Sequence, residues 1–203
     1  QDLPVGGEAK DEFWRVVLQC TKRLPENKPK YCMGVGYPID LLVCVALGVD
    51  MFDCVYPART ARFGVALSDE GNMQLKQRRF KEDLAPLEKD CKCPTCLHFT
   101  RAYLHILAAK EQTGARLITQ HNIAYMMRLM KRAREAISAG RYPQFVQEYF
   151  EKVYPKHDYP WWCVQALREV GIELSGAPQE RPPSPVAGTK RKGGAGGGGE
   201  AQA

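Results

Sequence analysis

Residues 8–56 alternate helix, strand, helix, strand with joints of only a few residues, and that order leaves few folds open. EAKDEFWRVVLQCTKR, residues 8–23, carries apolar residues at helical spacing behind an acidic start. KYCMGVG, residues 30–36, is a short apolar run closed by glycines and reads as a buried strand. Pro38 suits the first turn of a helix that runs to Leu47, and Gly48 suits its C-terminal stop. Asp50–Tyr56 reads as the next strand, broken by Pro57. Strands separated by a helix run parallel with a right-handed crossover, which predicts an α/β sheet or barrel.

After Pro57 the pattern changes. FGVALSDEGNMQLKQRRF, residues 63–80, reads as a hairpin around an Asp69–Asn72 turn. A cysteine cluster follows, then helices at about 97–112, 115–138, 143–153 and 161–170. Ile118, Ile123, Met126, Met127 and Met130 fall on the apolar side of the longest, where a methionine stripe predicts core packing. The chain thus divides near residues 57–65 into the end of an α/β unit (1–62) and a mostly helical, metal-bearing unit (63–174). Of the 203 residues, 44% are hydrophobic, enough for a sizeable core. The Pro- and Gly-rich residues 175–203 are expected to be a disordered tail, its basic run Lys190-Arg191-Lys192 a solvated segment.

The net charge of +6 permits a polyanionic partner without requiring one. No 18-residue apolar stretch suggests a transmembrane helix, and no signal peptide is visible. The abrupt start at Gln1, without Met, suggests a piece of a longer protein.

The eight cysteines do not read as a disulfide framework. Cys20 and Cys44 fall in helical patterns, Cys32 and Cys54 in strand-like runs, and three crowd into DCKCPTC, which suggests a reducing compartment. Cys91, Cys93 and Cys96, spaced C-x-C-x-x-C, can converge on one tetrahedral ion, zinc by default. The fourth ligand is open among His98, His105, His121 and His157; chelation by His98 so near Cys96 would be strained, while His121 can fold back over the cluster. A filled Cys3His site is structural.

Asp53 stands at the C-terminal end of its strand, where α/β sheets and barrels place catalytic groups. A carboxylate there can attack an anomeric carbon and hold a covalent glycosyl intermediate. Arg59 and Arg62, a turn later, can grip phosphates or base edges. The alternative is plain: Asp53 caps the turn and the arginines are surface charges.

YCMGVGYPIDLLVCVALGVDMFDCVYPARTARFG resembles the tRNA-guanine transglycosylases, the queuine tRNA-ribosyltransferases, and DCKCPTC followed by QHNIAYMMRLM resembles their zinc subdomain. The resemblance runs from about Gly6 to Leu174, and TARFG resembles the eukaryotic catalytic subunit. It implies the C-terminal part of an irregular (β/α)8 (TIM-type) barrel with a zinc-binding, mostly helical subdomain. It implies exchange of the wobble guanine of tRNA for queuine, a pentosyl transfer with Asp53 as nucleophile. Gly34, Val35, Gly36, Tyr37, Pro38, Ile39 and Asp40, with the turn Ala58, Arg59, Thr60, Ala61 and Arg62, would line the RNA path. Met33 would pack on the base. Cys91, Cys93, Cys96 and His121 would hold one structural Zn2+. The implied partners are tRNA, queuine and a related non-catalytic subunit in a heterodimer. The implied location is cytoplasmic, with peripheral association at the mitochondrial outer membrane. Two departures stand out: Ala58 replaces the threonine of the family's P-T-R turn, and QDLPV replaces a glycine-rich loop before Gly6. A complete barrel needs about 250 residues, so this chain is expected to be incompetent alone. The other reading is a non-catalytic, zinc-stabilised tRNA-binding subunit or module.

Overall fold

The structure, a computed structural model, describes residues 10–110 and 112–181. The expectations for the first nine residues and for the basic run at 190–192 lie outside the described residues. Helix α1 (Lys10–Arg23) leads into β1 (Tyr31–Met33), α2 (Pro38–Ala46) and β2 (Met51–Asp53). The strands pair in parallel, Tyr31 with Met51, Cys32 with Phe52 and Met33 with Asp53. Helix α3 (Tyr56–Arg62) follows, then the hairpin of β3 (Val65–Ala66) and β4 (Met73–Gln74) and a 3-10 turn at Arg78–Phe80. The rest is helical: α4 (Pro94–His98), α5 (Arg101–Lys110), α6 (Gln112–Ser138), α7 (Tyr142–Val153) and α8 (Trp161–Arg168). The described residues thus hold a parallel α/β pair beside a helix-rich remainder. No helix among them is long and apolar enough to cross a membrane.

Three expectations change. Asp50–Tyr56 is not one strand: it ends at Asp53, and Pro57 opens α3 rather than breaking a run. Proline lacks an N–H, and the first helical turn has no acceptor waiting for one. The basic turn Ala58–Arg62 is therefore helical. β1 is not buried: Tyr31 and Met33 are exposed. Among the described residues its only strand partner is β2, so one face of the pair is packed and the other open. The apolar stripe of α6 also splits. Ile118, Tyr125, Leu129, Ala133 and Ala136 are buried, Met126 and Met130 are half-buried, and Ile123 and Met127 are exposed. Positions 123 and 127 lie four apart and share a different face.

Two apolar clusters form. The larger gathers α1, α2 and the helices α7 and α8 with one side of α6; α2 is buried on most of its surface, and the Tyr142 hydroxyl donates to the Leu42 carbonyl at 2.8 Å. The smaller joins Ala61 of α3, Ala66, Leu75, Phe80 and Ile118 to the cysteine cluster. Residues 175–181, expected as the start of the tail, are held: Arg168 donates to the Pro178 and Gln179 carbonyls, and Arg181 pairs with Asp11 at 3.3 Å.

Candidate active site and metal centre

Alternation along the two strands puts Cys32 and Phe52 against the larger core and Tyr31, Met33, Met51 and Asp53 on the open face. The Tyr31 hydroxyl donates to Asp53 Oδ1 at 2.5 Å, and the Gly34 N–H lies 3.2 Å from the same oxygen. These donors, Tyr31 first, hold the Asp53 carboxyl below the usual carboxylate range; the same bond pushes the Tyr31 phenol up. Asp53 is thus an exposed carboxylate, ionised at neutral pH, and Oδ2 has no donor among the described residues. A nucleophile requires those properties. Met33, 76% exposed, stands beside it in register.

The loop after β1 presses on the loop after β2. A Cβ on Gly36 would lie 2.5 Å from Cys54 Cβ and 2.9 Å from Tyr56 Cβ, so only glycine fits. Tyr37 packs on Tyr56, ring centroids 4.2 Å apart. In the predicted RNA-lining segment, Gly34, Tyr37, Pro38 and Ile39 are partly exposed, whereas Val35, Gly36 and Asp40 are buried. Asp40 takes the Lys10 ammonium at 2.5 Å and ties α1 to α2. On α3, Arg59 and Arg62 are exposed, Ala58 and Thr60 half-buried, and Ala61 buried.

The second cluster sits where α4 meets α6. Sγ of Cys91, Cys93 and Cys96 lie 3.7, 3.8 and 3.3 Å from His121 Nδ1, and the four ligand atoms fall within 4.8 Å of one another. A tetrahedral zinc with bonds of about 2.0–2.3 Å needs ligand separations of roughly 3.5–3.8 Å. The fit is close. His121 Nε2 donates to the Leu67 carbonyl at 2.8 Å, which fixes the tautomer and turns the Nδ1 lone pair toward the thiols. Burial lowers the His121 pKa to about 4, so the ring is neutral, as a ligand must be. Burial pushes the Cys91 thiol up and Cys96 up to about 12. The Arg128 guanidinium donates to Cys91 Sγ at 2.7 Å and pairs with Glu88, a cationic partner suited to a bound thiolate. These donors fit a structural metal. The other candidate histidines are elsewhere: His98 is exposed, His105 binds the Leu75 carbonyl and His157 binds Tyr159.

Sequence reasoning missed Tyr31 and Asn122. Asn122 is fully buried beside His121; its Oδ1 accepts from the Leu67 N–H at 2.9 Å, and its Nδ2 reaches the Pro57 and Val65 carbonyls at 2.9 and 3.0 Å. It thus latches α6 to α3. The polar pair His121-Asn122, in helical register with the apolar Ile118 and Tyr125, was the available signal.

An ionised acid ending a parallel strand, in a fold that also carries a buried Cys3His cluster able to hold a metal, defines a class of mixed α/β proteins with a metal-binding, helix-rich part. A family model described as queuine tRNA-ribosyltransferase matches residues 3–155. Queuine tRNA-ribosyltransferase catalytic subunits of Schizosaccharomyces pombe and Caenorhabditis elegans are 49% and 50% identical, each match covering 83% of this chain. The queuine tRNA-ribosyltransferase of Thermus thermophilus is 47% identical over 77% of the chain. The chain belongs to the queuine tRNA-ribosyltransferase family. It spans 44%, 46% and 41% of the length of those relatives, in that order.

Proposed function

We propose that this chain carries the nucleophile and part of the RNA site of a tRNA-guanine transglycosylase, a pentosyltransferase that replaces the wobble guanine of tRNA with queuine. The observation that carries this reading is Asp53: an exposed carboxylate at a strand end, oriented through Oδ1 by Tyr31 and Gly34. Asp53 attacks ribose C1′ of the target nucleotide. The C1′–N bond breaks and guanine leaves with the bonding pair, acquiring a proton. The ribose remains bonded through C1′ to the Asp53 carboxylate until a ring nitrogen of queuine, giving up its proton, attacks C1′ and displaces the carboxylate, with the RNA strand uncut. The base must leave its stack to be reached; Met33 packs on it, and Arg59, Arg62 and the exposed part of Gly34–Ile39 grip its neighbours. Buried Val35 and Asp40 support that loop from below.

Residues 10–62 belong to a (β/α)8 barrel, and 63–174 form the subdomain in which Cys91, Cys93, Cys96 and His121 hold one Zn2+. When bound, the zinc cross-links the subdomain and supplies no step of the exchange. The working assembly is a cytoplasmic heterodimer with a related non-catalytic subunit, peripherally associated with the mitochondrial outer membrane.

The test is a denaturing gel of the full-length protein containing this sequence, with its accessory subunit, tRNA bearing wobble guanine and an inert base analogue as trap. Wild type gives a shifted protein–RNA band and Asp53→Asn none. A shift in both moves the nucleophile elsewhere. No shift in either, with tRNA still bound in a native gel, replaces the enzyme reading with an RNA-binding module.

A further inference from the structure

We propose that a second surface, running from the end of α3 across Lys76 to the 3-10 turn, is a phosphate track that grips RNA beyond the nucleotide at Asp53. This rests on the reading above and extends it to residues that the reading leaves unused. Residues 54–81 carry six cations, Arg59, Arg62, Lys76, Arg78, Arg79 and Lys81, against two acids, Asp69 and Glu70. Both acids sit at the hairpin tip, and Asp69 is already held by Arg132. All six cations are exposed, and none has an ion-pair partner among the described residues.

The packing makes these charges one surface. The Leu75 N–H donates to the Gly64 carbonyl at 2.9 Å, tying the end of β4 to the residue that follows α3 and Phe63. The Lys76 stem then crosses Gly64: a Cβ there would lie 3.1 Å from Lys76 Cε, and the backbone φ of +79° independently favours glycine. Phe80 is buried in the same cluster as Ala61 of α3, so the 3-10 turn is anchored to the core that holds the helix. The Arg79 guanidinium lies 4.6 Å over the Phe80 ring. Phe63, 63% exposed, offers an aromatic face at the junction. Cations interleaved with an exposed ring suit single-stranded RNA, in which phosphates and unstacked bases alternate.

The test uses the full-length protein with its accessory subunit and two fluorescent RNA probes: a trinucleotide centred on guanosine and an anticodon stem-loop. The variant is Lys76→Gln/Arg78→Gln/Arg79→Gln, whose positions are all exposed, with zinc content as a folding control. Each phosphate contact contributes about 0.7 to the slope of log affinity against log salt for single strands. The stem-loop slope should shrink by about 2, and its affinity fall ~10–100-fold near 0.1 M salt. The trinucleotide should change less than about 2-fold, being too short to reach the track. An unchanged slope, or equal losses on both probes, overturns the track. So does loss of binding to phosphatidylserine vesicles with RNA affinity intact. If the track fails while the Asp53 adduct still forms, the proposed function stands. If wild type binds stem-loop with the expected slope but forms no adduct, the track stands without the chemistry.

Discussion

Replacing Asn122 with alanine should be strongly destabilising although the residue is no member of the Cys3His cluster. The side chain is fully buried and serves three backbone groups at hydrogen-bond distance: the Leu67 N–H and the Pro57 and Val65 carbonyls. A buried group left without a partner costs about 1–3 kcal/mol. The Leu67 N–H bears that in full, whereas each carbonyl keeps a second lone pair and bears less. The total is about 3–4 kcal/mol, against a typical stability of about 5–15 kcal/mol. The variant should therefore fold, with its midpoint lowered by about 6–16 °C. The assay is thermal and urea unfolding of the zinc-loaded protein, with zinc content and stem-loop affinity measured on the same samples. Affinity should fall with zinc retained, because α3 loses its latch while His121 keeps its place. A loss under about 1 kcal/mol would refute the latch, since one orphaned N–H alone should exceed it.

Tyr31→Phe should let the Asp53 carboxyl rise toward its ordinary value, because the Tyr31 hydroxyl is the foremost cause of its depression; a carboxyl-carbon NMR titration identical to wild type would sink that account. Burial pushes the Asp69 carboxyl up, but the Arg132 hydrogen bonds, at 2.6 and 2.7 Å, together with the Arg132 charge and smaller contributions from Tyr125 and Lys152, leave it depressed. A depressed carboxyl contributes stability that is present above its unfolded value, about 3.9, and is lost as pH falls through the folded one. Arg132→Met should accordingly be less stable than wild type at pH 7, with the gap closing below about pH 4; a gap that is constant between pH 7 and pH 3 would contradict the assignment.

What the sequence disclosed and what it hid follow from range. Short-range chemistry was legible. The glycine-closed run before Pro38 and the alternation around it specify a parallel pair, and C-x-C-x-x-C brings three thiols together whatever the rest of the chain does. Spacing left the fourth ligand open because His121 reaches the thiols only through the packing of α6 on α4. Pro57 misled because proline both ends strands and opens helices, and its identity does not say which. The exposed Ile123 and Met127 misled for the reverse reason: apolarity marks a face, but not what covers it. Tyr31 was invisible as a partner of Asp53 because the contact spans 22 residues and exists only once the strands are in register.

Leu67 is one of the links between the Cys3His cluster and the helix that carries Arg59 and Arg62. His121 Nε2 donates to the Leu67 carbonyl, and Asn122 Oδ1 accepts from the Leu67 N–H, so neighbouring residues of α6 hold both backbone groups of Leu67. Successive helical side chains diverge by about 100°. That divergence lets His121 face the thiols through its other nitrogen while Asn122 reaches Pro57 in the first turn of α3. A metal that fixes the His121 ring thereby fixes Leu67, and Leu67 with Asn122 fixes where α3 begins. Arg59 and Arg62 lie within the two turns that follow. A metal held by these four residues would thus help to determine where Arg59 and Arg62 point without touching Asp53, and under the proposed function that is a physical reason to couple the cluster to this helix.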